Sequence, residues 1–184
     1  DENRRRGLKA PEYELVETGL FDEGRYFDVL AEYAKAAPED LLIKITVANR
    51  GPEAARLHLL PTLWLRNTWS WGCAFEEGEW PKPQLEQIGE DQLAAEHATL
   101  GKFRLVVQPL PDGTMPKFLF TENETNHARL FQTANEGPYV KDAFHEYVLH
   151  GKGDAVNPAR RGTKAAAHYV LEIPSRSQQT VCLR

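Results

Sequence analysis

The residues best suited to bind a polar, ring-shaped ligand cluster around one short run, Arg66-Asn67-Thr68-Trp69-Ser70-Trp71. Paired indoles supply flat apolar faces, and neighbouring amides and a guanidinium supply directional hydrogen bonds. That combination suits a sugar platform, and equally a protein interface, where Trp and Arg are enriched at hot spots. A second polar group follows later in the chain: Lys141, Asp142, and the Val156 to Lys164 loop with Asn157, Arg160 and Lys164. We expect Arg66, Asn67, Trp69, Trp71, Lys141, Asp142, Asn157 and Lys164 to converge on one face as an interface or sugar-contact surface. The plainer alternative is that large aromatics near strand ends simply close a core.

Other chemistry fails on spacing. His145-Glu146 followed by His150 looks like a zinc-protease helix, but that motif needs histidines four residues apart. A spacing of five turns them about 140° around a helix, so they do not share a metal. Gly151-Lys152-Gly153 and Gly162-Thr163-Lys164 lack the Gly-Lys-Ser/Thr order of a phosphate loop. No serine sits in a Gly-x-Ser-x-Gly elbow. Carboxylates such as Glu76, Glu77, Glu79, Glu86, Glu90, Asp91, Glu122, Glu124, Asp142 and Glu146 are plentiful. Glycoside hydrolysis needs two that face each other across a bond, a relation no single sequence displays. Asn123-Glu124-Thr125 fits a glycosylation sequon too short to carry weight. No catalytic residue, metal site or cofactor is assigned.

These residues must be held by a β-rich framework. Ile43, Ile45 and Val47 alternate with Lys44 and Thr46, the period of a half-buried strand over Leu41 to Asn49. Asn49-Arg50-Gly51-Pro52 supplies turn chemistry, and Leu57, Leu59, Leu63 and Leu65 resume the alternation as the return arm of a hairpin. Pro61 cannot donate to a ladder and implies an edge or bulge there. If parity survives it, the core-facing row runs on to Asn67, Trp69 and Trp71. Further strands are expected at Tyr13 to Glu17, Arg25 to Lys35, Leu85 to Ile88, Gln92 to His97, Lys102 to Gln108, Lys117 to Thr121, Ala166 to Ile173 and Gln178 to Leu183. Ala74 to Pro83 reads as an exposed acidic loop. The core rows should include Phe27, Val29, Ile43, Ile45, Val47, Leu57, Leu59, Leu63 and Leu65.

One segment breaks the pattern. Val140, Ala143, Phe144, Tyr147 and Val148 form the stripe of an amphipathic helix over Tyr139 to His150, ended by Gly151. A helical turn near Thr125 to Phe131 is also expected. The fold class is therefore mainly β: a large distorted antiparallel β-sandwich with one or two short helices at the edge.

Composition agrees with one ordinary globular domain: 184 residues, 41% apolar, 27% charged. A net charge of −5 gives no electrostatic case for nucleic acid. No apolar run approaches the roughly 20 residues of a membrane span. Cys73 and Cys182 are read as unbridged thiols of a reducing compartment, which points to the cytoplasm; a disulfide between them is the alternative. The chain opens without a methionine and closes within an apparent strand, so residues 1–184 read as a single domain excised from a longer protein.

Several blocks are distinctive: ENRRRG at Glu2 to Gly7, PEYELVETGLFDEGRYFDVLAEYAKA from Pro11, NTWSWG, LFTENETN, PYVKDAFHEYVLHG at Pro138 to Gly151, and VNPARRGTKAAAHY at Val156 to Tyr169. Together they resemble bacterial glucosidases similar to glycoside hydrolase family 63, the mannosyl-oligosaccharide glucosidase group. Cys73 to Gln92 matches no family block. The resemblance implies an N-terminal β-sandwich preceding a helical catalytic barrel that holds the general acid and base. On that basis the chain is a non-catalytic domain whose partner is the C-terminal catalytic domain of the same protein, with carbohydrate as a further contact. The alternatives are a free-standing carbohydrate-binding module, or a sugar epimerase on a similar sandwich.

Overall fold

The computed structural model describes residues 1–71 and 81–184, with the backbone alone described at Trp71. Among these residues the chain is mainly β, in three antiparallel sheets. The first sheet places β2 (Asp40–Asn49) between β1 (Phe27–Ala37) and β11 (Gln178–Leu183). The second is built on β10 (Lys164–Ile173). Along one edge of β10 lie β3 (Ala55–Leu59) and β4 (Thr62–Trp64), and along the other lies β8 (Lys117–Thr121). The third sheet runs β7 (Gly101–Val106), β6 (Gln92–His97), β5 (Gln84–Gln87) and β9 (Arg161–Gly162).

One hydrophobic core draws on all three sheets. Ile45, Val47, Val181 and Leu183 come from the first, Ala165, Ala167, Tyr169, Leu171, Ile173 and Phe120 from the second, and Leu85, Leu93 and Ala95 from the third. A smaller core lies on the opposite face of β10. There Phe144 of α3 (Ala143–His150) packs with Leu119, Val156 and Ala166, and with the half-buried Leu60 and Tyr147. The apolar stripe expected between Val140 and Val148 thus covers this outer face, in a helix that begins later than Tyr139. The helix ends at Gly151, whose φ of 64° is the left-handed conformation that glycine takes most readily. The expected turn near Thr125 is the short helix α2 (His127–Phe131).

The expected hairpin does not form. β2 pairs with β1 and β11, whereas β3 pairs with β10, so the Asn49 to Pro52 segment carries the chain from one sheet into another. Asn49 makes this corner. Its buried amide donates to the carbonyls of Glu53 (2.7 Å) and Ile173 (3.0 Å), and its Oδ1 accepts from the Gly51 amide at 2.9 Å. Pro61 breaks the return arm between β3 and β4, and its carbonyl accepts from Ala167 N at 3.0 Å. The strand ends at Trp64, so the core-facing row does not run on to Asn67 and Trp69; Trp69–Trp71 is instead a single 3-10 turn.

Other expectations change too. Tyr13 to Glu17 is not a strand: Leu15–Thr18 is a 3-10 turn whose Glu14 and Glu17 form a capping box. Val29 lies opposite buried Val47 but stays 54% exposed on the edge strand β1, whereas Phe27 on the same face packs against the core. A short helix, α1 (Glu2–Arg6), opens the chain without having been anticipated. Cys182 is half-buried on β11, while Cys73 and most of the acidic Ala74 to Pro83 segment lie outside the described residues. No described helix is long and apolar enough to cross a membrane.

Gly162 is the tightest close approach. A Cβ there would stand 2.4 Å from the carbonyl oxygen of Thr121, which no flexible side chain can relieve. Gly162→Ala should therefore destabilise the protein by roughly 1–3 kcal/mol, the cost of overpacking a fixed site. Chemical denaturation checks this; an unchanged midpoint would mean that β8 and β9 separate freely.

Candidate functional site

The end of β10 nearest α3 carries an open cleft of about 570 Å³. Three parts of the fold build it. Antiparallel register sets Lys164 of β10 directly between Trp64 of β4 and Thr121 of β8. Thr62 and Trp64 point the same way because side chains alternate along a strand, which leaves Leu63 facing the main core. The indole of Trp64 is 56% exposed along the cleft. Asn67 and Ser70 enter from the turn after β4, Asn123 and Thr125 from the segment after β8, and Lys141 from the approach to α3.

A buried carboxylate organises the wall behind this cleft. Glu124 is 7% exposed and accepts hydrogen bonds from Asn67 Nδ2 (2.9 Å), Trp69 Nε1 (2.5 Å) and Lys82 Nζ (3.0 Å). Burial alone would raise its pKa; the Trp69 and Lys82 donors outweigh that and hold the carboxyl below its ordinary range. Asn67 completes the clamp. Its Oδ1 accepts from the Ser70 amide (3.1 Å) and hydroxyl (2.8 Å), and its Nδ2 also reaches Asn123 O at 3.0 Å. Asn123 in turn donates to Leu65 O at 2.9 Å. Trp69 is thus a half-buried strut held by its indole nitrogen, with Lys82 Nζ 6.0 Å from its ring centre.

The two lysines are differently placed. Lys164 is half-buried, with Nζ 4.8 Å from the centre of the Phe144 ring and donating to Lys141 O at 2.5 Å. Burial first, and the neighbouring Lys141 charge second, lower its pKa against the opposing pull of Asp142. Lys141 is exposed, and its Nζ lies 3.2 Å from Thr125 Oγ1.

Of the eight residues expected to converge, Asn67, Lys141 and Lys164 line the cleft, and Trp69 stands behind it. Asp142 turns away to Arg129 (3.0 Å) and Asn126 (3.1 Å). Asn157 holds its own loop, accepting from Ala159 N at 2.9 Å and donating to Arg161 O at 2.8 Å. Arg160 lines a separate hollow beside Met115 and Pro158. Arg66 is exposed, and the side chain of Trp71 lies outside the described residues. Trp64 and Glu124 were missed. Trp64 was legible as a large aromatic on the water-facing parity of the Leu57 to Leu65 run; Glu124 had no such signal among so many carboxylates. Among the described residues no three His, Cys, Asp or Glu side chains group to hold a metal. Glu124 is fully engaged by its donors Asn67, Trp69 and Lys82.

No family model matches this sequence, and no solved structure matches it. The chain is similar to an uncharacterized protein of Saccharomyces cerevisiae, YMR196W, at 35% identity over 208 aligned positions. The match covers 97% of this chain but 19% of the yeast protein.

The Glu124 clamp has a definite pH signature. A carboxyl whose folded pKa is depressed stabilises the fold above its unfolded pKa of about 4.3, and that contribution is lost as pH falls through the lower folded value. Glu124→Gln should cost roughly 1–3 kcal/mol at neutral pH, with the gap from the unsubstituted protein closing in acid. Urea denaturation at both pH values tests this; a gap independent of pH would assign the loss to shape instead of charge.

Proposed function

We propose that this chain is the non-catalytic N-terminal β-sandwich region of a larger, glucosidase-like glycoside hydrolase. In this reading it buttresses a helical catalytic domain and supplies one wall of the sugar pocket. The carrying observation is the cleft, whose exposed Trp64 indole lies among the amide, hydroxyl and ammonium groups of Asn67, Ser70, Thr125 and Lys164. A flat apolar face edged by hydrogen-bonding groups suits a pyranose, which presents C–H bonds on one face and hydroxyls around its rim. The cleft's volume of about 570 Å³ is in the range of small-molecule sites. Two further facts support the reading: the long blocks that resemble family 63 glucosidases, and the span of 19% of the yeast relative, which suits one region of a larger protein. A cytoplasmic setting is part of the proposal and rests on the low cysteine usage, two in 184 residues.

Trp64→Ala and Glu122→Gln in the full-length protein test this with α-glucosides. Removing the indole should raise KM about tenfold with kcat little changed, since it removes binding shared by ground and transition states. Glu122→Gln should leave kcat intact. Loss of kcat on replacing Glu122, or an unaltered KM on removing Trp64, would contradict the proposal.

A further inference from the structure

We propose that the cleft takes an anionic saccharide, one bearing a carboxylate or phosphate, with Lys164 and Lys141 as its counter-charges. This rests on the reading of the cleft as carbohydrate-facing and adds the charge of what it holds.

The reason lies in which charges are already matched. Burying a charge is costly unless it is paired. Several shielded ionic groups are paired: Glu124 meets Lys82 at 3.0 Å, Asp40 meets Arg184 at 2.6 Å, Asp142 meets Arg129 at 3.0 Å, and Arg6 meets Glu17 at 3.0 Å. Lys164 is not paired in this way. It is half-buried against Phe144, yet among the described residues its ammonium forms no ion pair, and neither does that of Lys141. An ammonium has three donors. Lys164 spends one on Lys141 O and rests above the Phe144 face, so donors remain to serve the cleft.

Among the described residues no carboxylate lies within ion-pair distance of either ammonium, although Asp142 attracts Lys164 from further off. Asp142 is the nearby carboxylate, and it is held by Arg129 and Asn126. Glu124 is held by Asn67, Trp69 and Lys82. The cleft therefore combines two ammonium groups without an ion pair among the described residues, a set of hydroxyl and amide groups, and an exposed indole. A neutral sugar would use the indole and hydroxyls but leave both cations unmatched. An acidic or phosphorylated sugar would use both features, stacking its ring on Trp64 while its anion meets Lys164. A bare anion would leave Trp64 unused.

Calorimetric titration of the full-length protein with glucose, glucuronate, glucose 6-phosphate and inorganic phosphate separates these cases. We expect either acidic sugar to bind at least about tenfold more tightly than glucose. That preference should shrink as salt rises to about 0.5 M, because screening weakens charge attraction. Lys164→Met should abolish the preference and Lys164→Arg should keep it. Lys141→Gln, at an exposed position unrelated to the core, should reduce it independently of any effect of residue 164 on folding. Equal affinity for glucose and the acidic sugars overturns the charge inference and leaves the sugar reading standing. Phosphate binding as tightly as glucose 6-phosphate overturns the saccharide part. An acid preference untouched by both lysine variants, or no binding by any of the four probes, overturns the proposal.

Discussion

Three successive alanines, Ala165, Ala166 and Ala167, are completely buried in the strand on which the fold turns. A strand normally shows one face to water. Here Ala165 and Ala167 face the main core while Ala166 faces the smaller core beneath α3, so both faces are covered at once. Only small side chains permit such close approach on both sides, because protein interiors are packed too densely to absorb extra volume. The backbone is equally constrained. Lys164 to His168 bonds to β8 on one edge, while Lys164 to Ala166 and Tyr169 to Ile173 bond to β4 and β3 on the other.

The cleft is a consequence of where that double coverage stops. One residue before the alanines, the same outward face carries Lys164, and α3 shields it with Phe144 without burying it. Trp64 comes beside it because register in β4 is locked to β10. The wall behind is stiffened by polar groups that satisfy one another, with Glu124 drawing Asn67, Trp69 and Lys82 to a single point. Some of these side chains are fully engaged, and others only partly. That division explains why the tryptophan first picked out, Trp69, is a strut, whereas Trp64 is available to a ligand.

Much of the framework was legible because alternation and amphipathic stripes follow directly from backbone geometry. Ile45 and Val47 are core residues as their spacing required, and Phe144 packs where its helical stripe put it. Periodicity reports which face a residue occupies, however, and not which strand lies alongside. Two adjacent alternating runs therefore looked like a hairpin, although Asn49 sends them to different sheets. Val29 shows the same gap: it shares a face with Phe27 and pairs with Val47, yet on its edge strand it stays exposed. At the site, Asn67, Lys141 and Lys164 were recognisable as polar groups at unusual density, and they do meet. Asn157 and Asp142 belonged to the same dense runs but are consumed by local hydrogen bonds, which only coordinates reveal.

The central claim is that the Trp64–Lys164 cleft is where this domain meets a saccharide. A structure of the full-length protein with a bound acidic oligosaccharide addresses it most directly. The account predicts a sugar ring stacked on Trp64 with its anion about 3 Å from Lys164 Nζ, the length of a charge-assisted hydrogen bond. Protein side chains from elsewhere in the molecule filling the cleft, with the saccharide bound at a distance from Trp64, would contradict it.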